Sequence, residues 1–248
     1  MCLAVLAYQV YERHPVALGA NRDEFYGRAS RPPAPLTGGR LKVTAGVDLR
    51  RGGTWLGVNE KGLIACLTNR RTGNPEAPQR PSRGQLCREA LQHDDPAAAA
   101  AAVSALVDRQ AYNPFSMLLV SADQCLMASN WPKTRVESVA PGWHVLGNGE
   151  LDAEDDTRVR RVRLLLDRHA THLFSGACLL QFLESVCRDH GQPAHPGRNS
   201  LCMHGPKAGT RSSSILILGP DSRIAAYRHA EGFPCRNAYE DVSRYLLP

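Results

Sequence analysis

Cys2 and Asp23 have the residue types and the spacing of a nucleophile and of the group that orients it. If Met1 is removed, Cys2 becomes the first residue and carries both a thiol and a free α-amine, so the nucleophile has its own base. The reference pKa is about 8.5 for the thiol and about 7.7–8.0 for the amine, so either group can exchange a proton near neutral pH. Asp23 would hold the α-ammonium group or the thiol in place. The two residues therefore predict covalent attack on a carbonyl carbon such as that of an amide.

Two apolar runs are expected to bring these residues together. The run Leu3–Tyr8 is typical of a buried strand, and it would hold the start of the chain rigidly in a core. The second run, Pro15–Ala20, ends at Asn21-Arg22-Asp23. A turn around residues 12–15 would pair the two strands and return Asp23 to the side of Cys2.

Several short motifs stand in order along the chain, and the set extends over nearly its whole length. They are Met-Cys at the start, Ala20–Phe25, Gly52–Gly57, Leu67–Asn69 and Gly209–Ser212. Together they resemble the NRDE family, also called the transport and Golgi organisation protein 2 family. The resemblance implies an α+β fold, the four-layer αββα sandwich of N-terminal nucleophile hydrolases. It also implies that bile salt hydrolases and penicillin V acylases are relatives.

The resemblance implies three further catalytic residues. Asn69 follows a hairpin that resembles the segment before the oxyanion asparagine of bile salt hydrolases, and its backbone N–H would be one oxyanion donor. Asn148 resembles the second asparagine, whose side-chain amide completes the oxyanion hole. Arg211 matches an arginine on a late strand of the acylases, and its positive charge would favour the thiolate. The predicted catalytic set is therefore Cys2, Asp23, Asn69, Asn148 and Arg211.

Asn21, Arg22 and Trp55 are the predicted binding residues. The acylases carry an arginine immediately before their Asn-x-Asp pattern, whereas this chain has Ala20 there and Arg22 inside the motif. Arg22 could instead pair with a structural carboxylate such as Glu24, and Asn-Arg-Asp-Glu could be only a turn whose side chains satisfy the backbone. Trp55 could line a ligand site or pack its indole beside a Gly-Gly-Thr turn. Substrate recognition could therefore differ from that of the acylases.

Length and composition favour a soluble protein with one domain, residues 1–248. The chain can bury a sizeable core, and its hydrophobic content of 43% is ordinary. The longest apolar runs are too short to cross a bilayer and the first ten residues lack a basic segment, so neither a membrane span nor a signal peptide is expected. The predicted compartment is the cytoplasm. The net charge of +6 comes mostly from arginines that form no long run and no nucleic-acid motif, so nucleic-acid binding is not expected.

The eight cysteines are scattered through the chain and are expected to be reduced thiols, mostly buried. They include no Cys-x-x-Cys pair and no spacing typical of zinc ligands, so no metal site is predicted. His169 and His172 could share one face of a helix, and Cys187 and His190 have the same spacing. Neither pair has a recognisable third ligand.

Hydrophobic periodicity and turn residues predict groups of strands that alternate with pairs of helices. Arg28–Gly39, which is rich in proline and glycine, is expected to be an irregular loop. Asp95-Pro96 supplies a helix cap and a proline at the first helical position. The predicted helices span residues 82–93, 95–109, 174–190 and a segment that begins near 151. The predicted strands are 41–47, 55–58, 63–68, 115–121, 125–129, 135–139, 143–146, 213–218 and 224–227.

Two functions from different classes fit these residues. The first is a cysteine N-terminal nucleophile hydrolase that cleaves a carbon–nitrogen amide bond of a small acylated molecule and requires no cofactor. The alternative, which the family resemblance implies, is a non-enzymatic carrier that binds haem, acyl-CoA or lipid in the same pocket, with arginines at propionates or phosphates. The chain has no Cys-Pro or Cys-x-x-Cys-His haem signature. The sequence leaves the oligomeric state open.

Overall fold

Two antiparallel sheets, each with a pair of helices packed on one face, form the parts of the chain that the computed structural model describes, residues 2–169, 176–191 and 200–245. These residues divide into two compact units. The first unit contains residues up to Gly27, Pro141–Pro220 and Ile224–Ser243, and the second contains Arg28–Ala140, Asp221–Arg223 and the residues from Arg244 onwards. The assignment of residues 1–248 to a single domain stays a prediction.

The elements are numbered in chain order. The strands are β1 (Cys2–Tyr11), β2 (His14–Phe25), β3 (Ser30–Leu36), β4 (Val43–Asp48), β5 (Leu56–Asn59), β6 (Ile64–Asn69), β7 (Phe115–Val120), β8 (Cys125–Ser129), β9 (Arg135–Ser138), β10 (Gly142–Leu146), β11 (Ala208–Leu218), β12 (Ile224–Glu231) and β13 (Glu240–Asp241). The helices are α1 (Arg83–Ala90), α2 (Pro96–Arg109), α3 (Thr157–His169) and α4 (Gly176–Arg188). None of these helices is long and apolar enough to cross a membrane, as far as the described residues go.

The sheet of the first unit has the strand order β10-β1-β2-β11-β12-β13. The first two strands, β1 and β2, pair as the sequence predicts, and β11 continues the sheet beside β2. Alternate side chains of β1, including Leu3, Val5 and Ala7, pack against α3 and α4. We call this side of the sheet the helix face, and the opposite side the cysteine face.

The sheet of the second unit has the strand order β3-β4-β5-β6-β7-β8-β9. One face of β6 and β7 packs against α1 and α2 through an apolar core that includes Leu67, Met117, Leu86 and Val103. At the start of α2, the Asp95 side chain accepts a hydrogen bond from the Ala98 N–H at 2.8 Å, which confirms the predicted cap. Helix α1 is shorter than predicted and has no side-chain cap.

The expectation of an irregular loop at residues 28–39 is wrong, because β3 lies within it. This strand contains three prolines, which have no N–H to donate to a neighbouring strand. β3 is an edge strand, and its register against β4 shifts between Arg31 and Ala34, where two of the prolines lie. Prolines are tolerated at edges and bulges, so the composition that indicates a loop is also compatible with this position.

The helical segment predicted to begin near residue 151 starts later, at Thr157. Leu151 still forms a β-bridge with Leu146, and the Asp152 N–H donates to the Val145 carbonyl at 2.9 Å. The chain therefore makes a tight turn after β10 before α3 begins. Helix α4 begins at Gly176, and the first two residues of the predicted helix 174–190 lie outside the described residues.

Candidate active site

Cross-strand register in the first unit aligns Cys2 with Arg22. Cys2 of β1 lies opposite Arg22 of β2, and Arg22 lies opposite Ser212 of β11. Residues directly opposite each other in an antiparallel pair point their side chains to the same face. Because Leu3 points to the helix face, Cys2 and Arg22 point to the cysteine face. Cys2 is half-buried and Arg22 is buried. Met1 lies outside the described residues, so its removal stays a prediction.

The same register explains how the chain departs from the acylase pattern. Ala20 lies opposite Ala4 and Arg22 lies opposite Cys2, so both Ala20 and Arg22 belong to the cysteine face. Exchanging the expected arginine at position 20 for one at position 22 keeps a guanidinium on that face. It also moves this guanidinium along β2 to the level of Cys2.

Asp23 lies on the helix face, where it is held by two residues that the sequence did not single out. Its Oδ1 accepts a 2.7 Å hydrogen bond from the Thr210 hydroxyl, and its Oδ2 accepts a 2.9 Å bond from Nη2 of Arg158. Both side chains of the Asp23–Arg158 ion pair are almost fully buried. A buried carboxylate needs such hydrogen-bonded partners, because desolvation would otherwise make its charge very costly. Thr210 and Arg158 therefore fix Asp23 beside the start of β1.

Asn21 also lies on the helix face. Its Nδ2 donates to the carbonyl oxygens of Cys187, at 2.9 Å, and Leu201, at 2.8 Å. Both amide hydrogens are thus used to tie β2 to the end of α4 and to the segment that precedes β11. In the structure the side chain of this predicted binding residue bonds to protein backbone.

Arg211 is the extra residue of a β-bulge in β11. Thr210 pairs with Asp23 and Ser212 pairs with Arg22, which leaves Arg211 between the two registers. Nη1 of Arg211 donates to the Tyr26 carbonyl at 3.0 Å. Its Nε is buried and has no hydrogen-bond partner among the described residues. The guanidinium is therefore anchored just after β2, and its buried Nε donor is unused.

Asn148 lies in the turn after β10, on the other side of β1 from Arg22. Ala4 of β1 pairs with Leu146, the last residue of β10, so Asn148 follows β10 at the end of the sheet where Cys2 begins β1. The side chain is buried. The turn leads into α3, whose second residue is Arg158. The segment from the end of β10 to the first turn of α3 therefore contains both Asn148 and Arg158, the partner of Asp23.

Asn69 and Trp55 belong to the second unit. Asn69 is the last residue of β6, pairs with Phe115 and is half-buried. The Trp55 indole lies against Gly46, where a Cβ would come within 2.7 Å of two ring atoms. The glycine on β4 therefore makes room for the ring, and the role of Trp55 as a binding residue stays a prediction.

The buried cysteines differ from Cys2 in their surroundings. Burial raises the pKa of the Cys125 thiol to about 12 and that of the Cys187 thiol to about 11, and it also raises the pKa of Cys87. Hydrogen bonds with Ser213 and Tyr239 offset part of the effect of burial at Cys187. Thiols held in the neutral form are poor nucleophiles. Cys2, half-buried at the start of a strand, is the better placed of these four cysteines to react.

The structure gathers potential metal ligands that the sequence analysis did not connect. The ligand atoms of His190, Cys202, His204 and Cys235, all in the first unit, lie within 4.8 Å of one another. Their wide and irregular spacing in the sequence gives no local signal. The proposed pair of His169 and His172 cannot be assessed in the same way, since His172 lies outside the described residues.

Comparison with known sequences gives a family for this chain. The model of the family described as "Transport and Golgi organisation 2" matches residues 1–229. The Transport and Golgi organization protein 2 homolog of Bos taurus is 29% identical over 234 residues, which cover 84% of this chain and 83% of the relative. The homolog of Homo sapiens is 24% identical over 233 residues with the same coverage.

Comparison with solved structures confirms the predicted fold class. A variant of conjugated bile acid hydrolase from Clostridium perfringens has a TM-score of 0.61 at 11% identity, and covers 97% of this chain and 93% of its own. Penicillin V acylase from Agrobacterium tumefaciens has a TM-score of 0.57 at 12% identity, over 99% and 88% of the two chains. A Caenorhabditis elegans ortholog of N-acylethanolamine-hydrolyzing acid amidase has a TM-score of 0.54 at 13% identity, over 89% and 93%. The α+β fold with two antiparallel sheets and two helix pairs is thus that of N-terminal nucleophile hydrolases.

Proposed function

The chain belongs to the Transport and Golgi organisation 2 family, and we propose that it is a cysteine hydrolase that cleaves the carbon–nitrogen bond of a small acylated amide. The observation that carries this proposal is the register at one end of the first unit's sheet. Cys2 of β1 lies opposite Arg22 of β2, and Asn148 follows β10, which pairs with β1 on its other side, while Asp23 is held on the opposite face, next to Arg22 in the chain. A cysteine hydrolase needs a nucleophile, a positive charge, an oxyanion donor and an anchored carboxylate in such proximity.

In the proposed reaction the sulfur of Cys2 attacks the amide carbonyl carbon. The α-amine of a processed Cys2 takes the thiol proton, a carbon–sulfur bond forms, and the carbonyl oxygen becomes an oxyanion that the Asn148 side chain would stabilise. The oxyanion then collapses and the carbon–nitrogen bond breaks, with the departing amine receiving the proton. Water hydrolyses the resulting thioester and regenerates the thiol. Asp23 would hold the α-ammonium group during the first step.

Positive charge on the cysteine face supports the nucleophile in this scheme. Arg22 is buried opposite Cys2, and Arg211 brings a second guanidinium to the bulge beside Arg22. A nearby cation lowers the pKa of a thiol because it stabilises the thiolate. The unused Nε donor of Arg211 could also bind an oxygen atom of the substrate.

The names of the similar solved structures agree with this reaction class. They are named as an amidase, a bile acid hydrolase and a penicillin acylase. At 11–13% identity these similarities support the fold, and their substrates are not transferred to this chain. The acyl group and the amine of the substrate are therefore left to experiment.

The test begins with the native N-terminus and its thiol. Intact-mass spectrometry should find the chain without Met1, and a thiol-reactive probe should label Cys2 before the buried Cys125. Amide hydrolysis is then measured on a panel of N-acyl amines that differ in acyl length and amine. Cys2→Ala should lower kcat/KM on the order of 10⁴-fold or more, and Asn148→Ala about 100-fold. Cys178→Ser, at a half-buried cysteine of α4, is the matched control and should keep full activity.

Two results would reject the hydrolase. One is active protein that retains Met1, and the other is a Cys2→Ala variant whose amidase activity equals that of the wild type. The carrier alternative makes a different prediction, namely tight stoichiometric binding of haem or acyl-CoA without turnover. Titrating wild type and Cys2→Ala with each ligand, with albumin as a reference for nonspecific binding, separates the two functions.

A further inference from the structure

Four side chains from three separate segments converge at one end of the first unit. His190 follows α4, Cys202 and His204 lie in the segment before β11, and Cys235 lies in the loop after β12. The Nε2 atoms of His190 and His204 are 3.1 Å apart. Nε2 of His204 lies 3.6 Å from Sγ of Cys202 and 3.2 Å from Sγ of Cys235.

These separations of 3.1–3.6 Å are close to those of ligands around one tetrahedral metal ion. Zinc–nitrogen bonds of about 2.0–2.1 Å and zinc–sulfur bonds of about 2.3 Å put the ligand atoms of a tetrahedron about 3.3–3.8 Å apart. Two imidazoles and two thiols are also the donor set that selects zinc among the common divalent ions. We propose that His190, Cys202, His204 and Cys235 bind one structural zinc ion.

The surroundings hold the ligand side chains near this arrangement. The His204 ring stacks on Phe233, with centroids 4.1 Å apart and planes 19° apart. The Cys202 N–H donates to the Asp189 carbonyl at 2.8 Å, and the Asp189 carboxylate accepts two hydrogen bonds from Arg161 at 2.9 and 2.6 Å. Partners outside the ligand set that orient the ligands are typical of protein metal sites. Three of the four ligands are half-buried, which leaves a route for a metal ion to enter.

A zinc ion at this site would be structural, because protein side chains fill all four tetrahedral positions and leave none for water or substrate. Met203 lies between two of the ligands, and its backbone N–H and carbonyl bond the Thr210 hydroxyl and N–H at 2.8 and 2.9 Å. Thr210 in turn donates to Asp23. The ion would therefore stabilise the backbone that positions Asp23. The zinc proposal does not depend on the proposed hydrolase activity.

Metal content of the untagged chain, purified without chelator, tests the site directly. We expect elemental mass spectrometry to find about one zinc ion per chain, because one tetrahedral site is proposed. Cys235→Ser and His204→Gln should each lose most of it, whereas Cys178→Ser and His93→Gln, at a cysteine and a histidine elsewhere, should retain it. Stripping the metal with a strong chelator should lower the Tm of the wild type and of the two controls.

Cobalt substitution keeps the test informative if a ligand variant fails to fold. The stripped wild-type chain titrated with Co²⁺ should show the visible bands of tetrahedral cobalt and a near-ultraviolet thiolate-to-cobalt band, both saturating at one equivalent. In folded Cys235→Ser, the charge-transfer band should fall to about half, since one of two thiolates is removed. Far-ultraviolet circular dichroism identifies which variants are folded.

Three outcomes would overturn the proposal. The first is wild-type protein with neither stoichiometric metal nor tetrahedral cobalt bands. The second is metal that the Cys178→Ser and His93→Gln controls lose as readily as the ligand variants. The third is native protein whose peptide mass map shows a disulfide between Cys202 and Cys235, because sulfur atoms joined in this way cannot also ligate zinc.

Discussion

The two sheets differ in the polarity of the side chains that they bury against their helices. In the first unit, residues of β2 on the helix face change from apolar Ala17 to polar Asn21 and Asp23 within a few positions. In the second unit, the corresponding face of β7 stays apolar from Phe115 through Met117 to Leu119. Buried polar groups must be satisfied by specific partners, whereas apolar groups need only to be packed. The polar end of β2 is therefore the part of the fold that requires specific hydrogen-bonding partners in a fixed arrangement.

This difference also appears in the connections that each unit needs. Asp23 is held by Arg158 and Thr210, which are 135 and 187 positions away along the chain. The helices of the second unit come between β6 and β7 in the chain, and their core contacts with the sheet are mostly between apolar side chains. The polar end of the first unit therefore depends on partners that are distant in the chain, whereas the core of the second unit depends mainly on apolar packing.

Breaking the buried ion pair should have the largest effect. In Arg158→Met the aliphatic stem is kept but Asp23 loses its cation in a buried position, so the free energy of unfolding should fall by about 3–5 kcal/mol. Arg28→Met is the matched change in the second unit, where partly exposed Arg28 bonds Asp48 at 3.2 and 2.6 Å. This control should cost less, because Arg28 is partly exposed to solvent and Asp48 also accepts a hydrogen bond from the Arg50 N–H at 3.2 Å. Urea unfolding measures both variants.

The comparison fails if Arg158→Met costs no more than Arg28→Met. The double variant Asp23→Asn with Arg158→Met sharpens the result. Removing both charges should cost less than the sum of the two single changes, because neither change then leaves an unpaired buried charge.

Adding a methyl group at a strand glycine should have the next largest effect, and it probes the tighter apolar packing of the second unit. A Cβ at Gly57 of β5 would lie 2.6 Å from the Cβ of Ala45 and 2.7 Å from Cδ1 of Leu91. At Gly19 of β2 the nearest atoms, on Cys187 and Leu183, would be 3.3 Å away. Gly57→Ala should therefore destabilise by about 2 kcal/mol and Gly19→Ala by less than about 1 kcal/mol.

Gly27→Ala serves as the reference for this pair of variants. A Cβ there would meet no heavy atom within 4 Å, so its effect measures only the change in backbone entropy. Equal losses at Gly19 and Gly57 would mean that the first unit is packed as tightly against its helices as the second unit is between its strands.

Sequence patterns predicted the helices and strands better than the contacts between them. The apolar runs of β1 and β2 predicted a strand pair because each run is continuous and the turn between them is short. Nothing near Arg158 indicated that it bonds Asp23, since it stands among other arginines at the start of a helix. Asn148 and Arg211 were singled out only through family resemblance. The sequence did not predict the four proposed zinc ligands as one site, because the fold brings them together and their spacing along the chain follows no metal-binding pattern.

The smallest expected effect concerns the buried thiols at high pH. Burial raises the pKa of Cys125, in β8 of the second unit, to about 12, whereas an unfolded cysteine titrates near 8.5. The folded state therefore holds this proton more tightly, so its contribution to stability is complete below about pH 8.5 and is lost as pH rises towards 12. At pH 9.5 the loss should be about 1.4 kcal/mol.

Cys125→Ala should remove this loss, so that the free energy of unfolding falls less between pH 7.5 and 9.5 than in the wild type by about that amount. Met127→Leu, two positions along the same strand, alters packing without a titrating group and should leave the difference between the two pH values unchanged. Cys187→Ala tests the first unit, where burial raises the thiol pKa to about 11 although hydrogen bonds with Ser213 and Tyr239 oppose the rise. If the free energy of unfolding of Cys125→Ala falls as much between pH 7.5 and 9.5 as that of the wild type, water reaches this thiol. The contrast between an apolar second core and a polar first one would then not hold at Cys125.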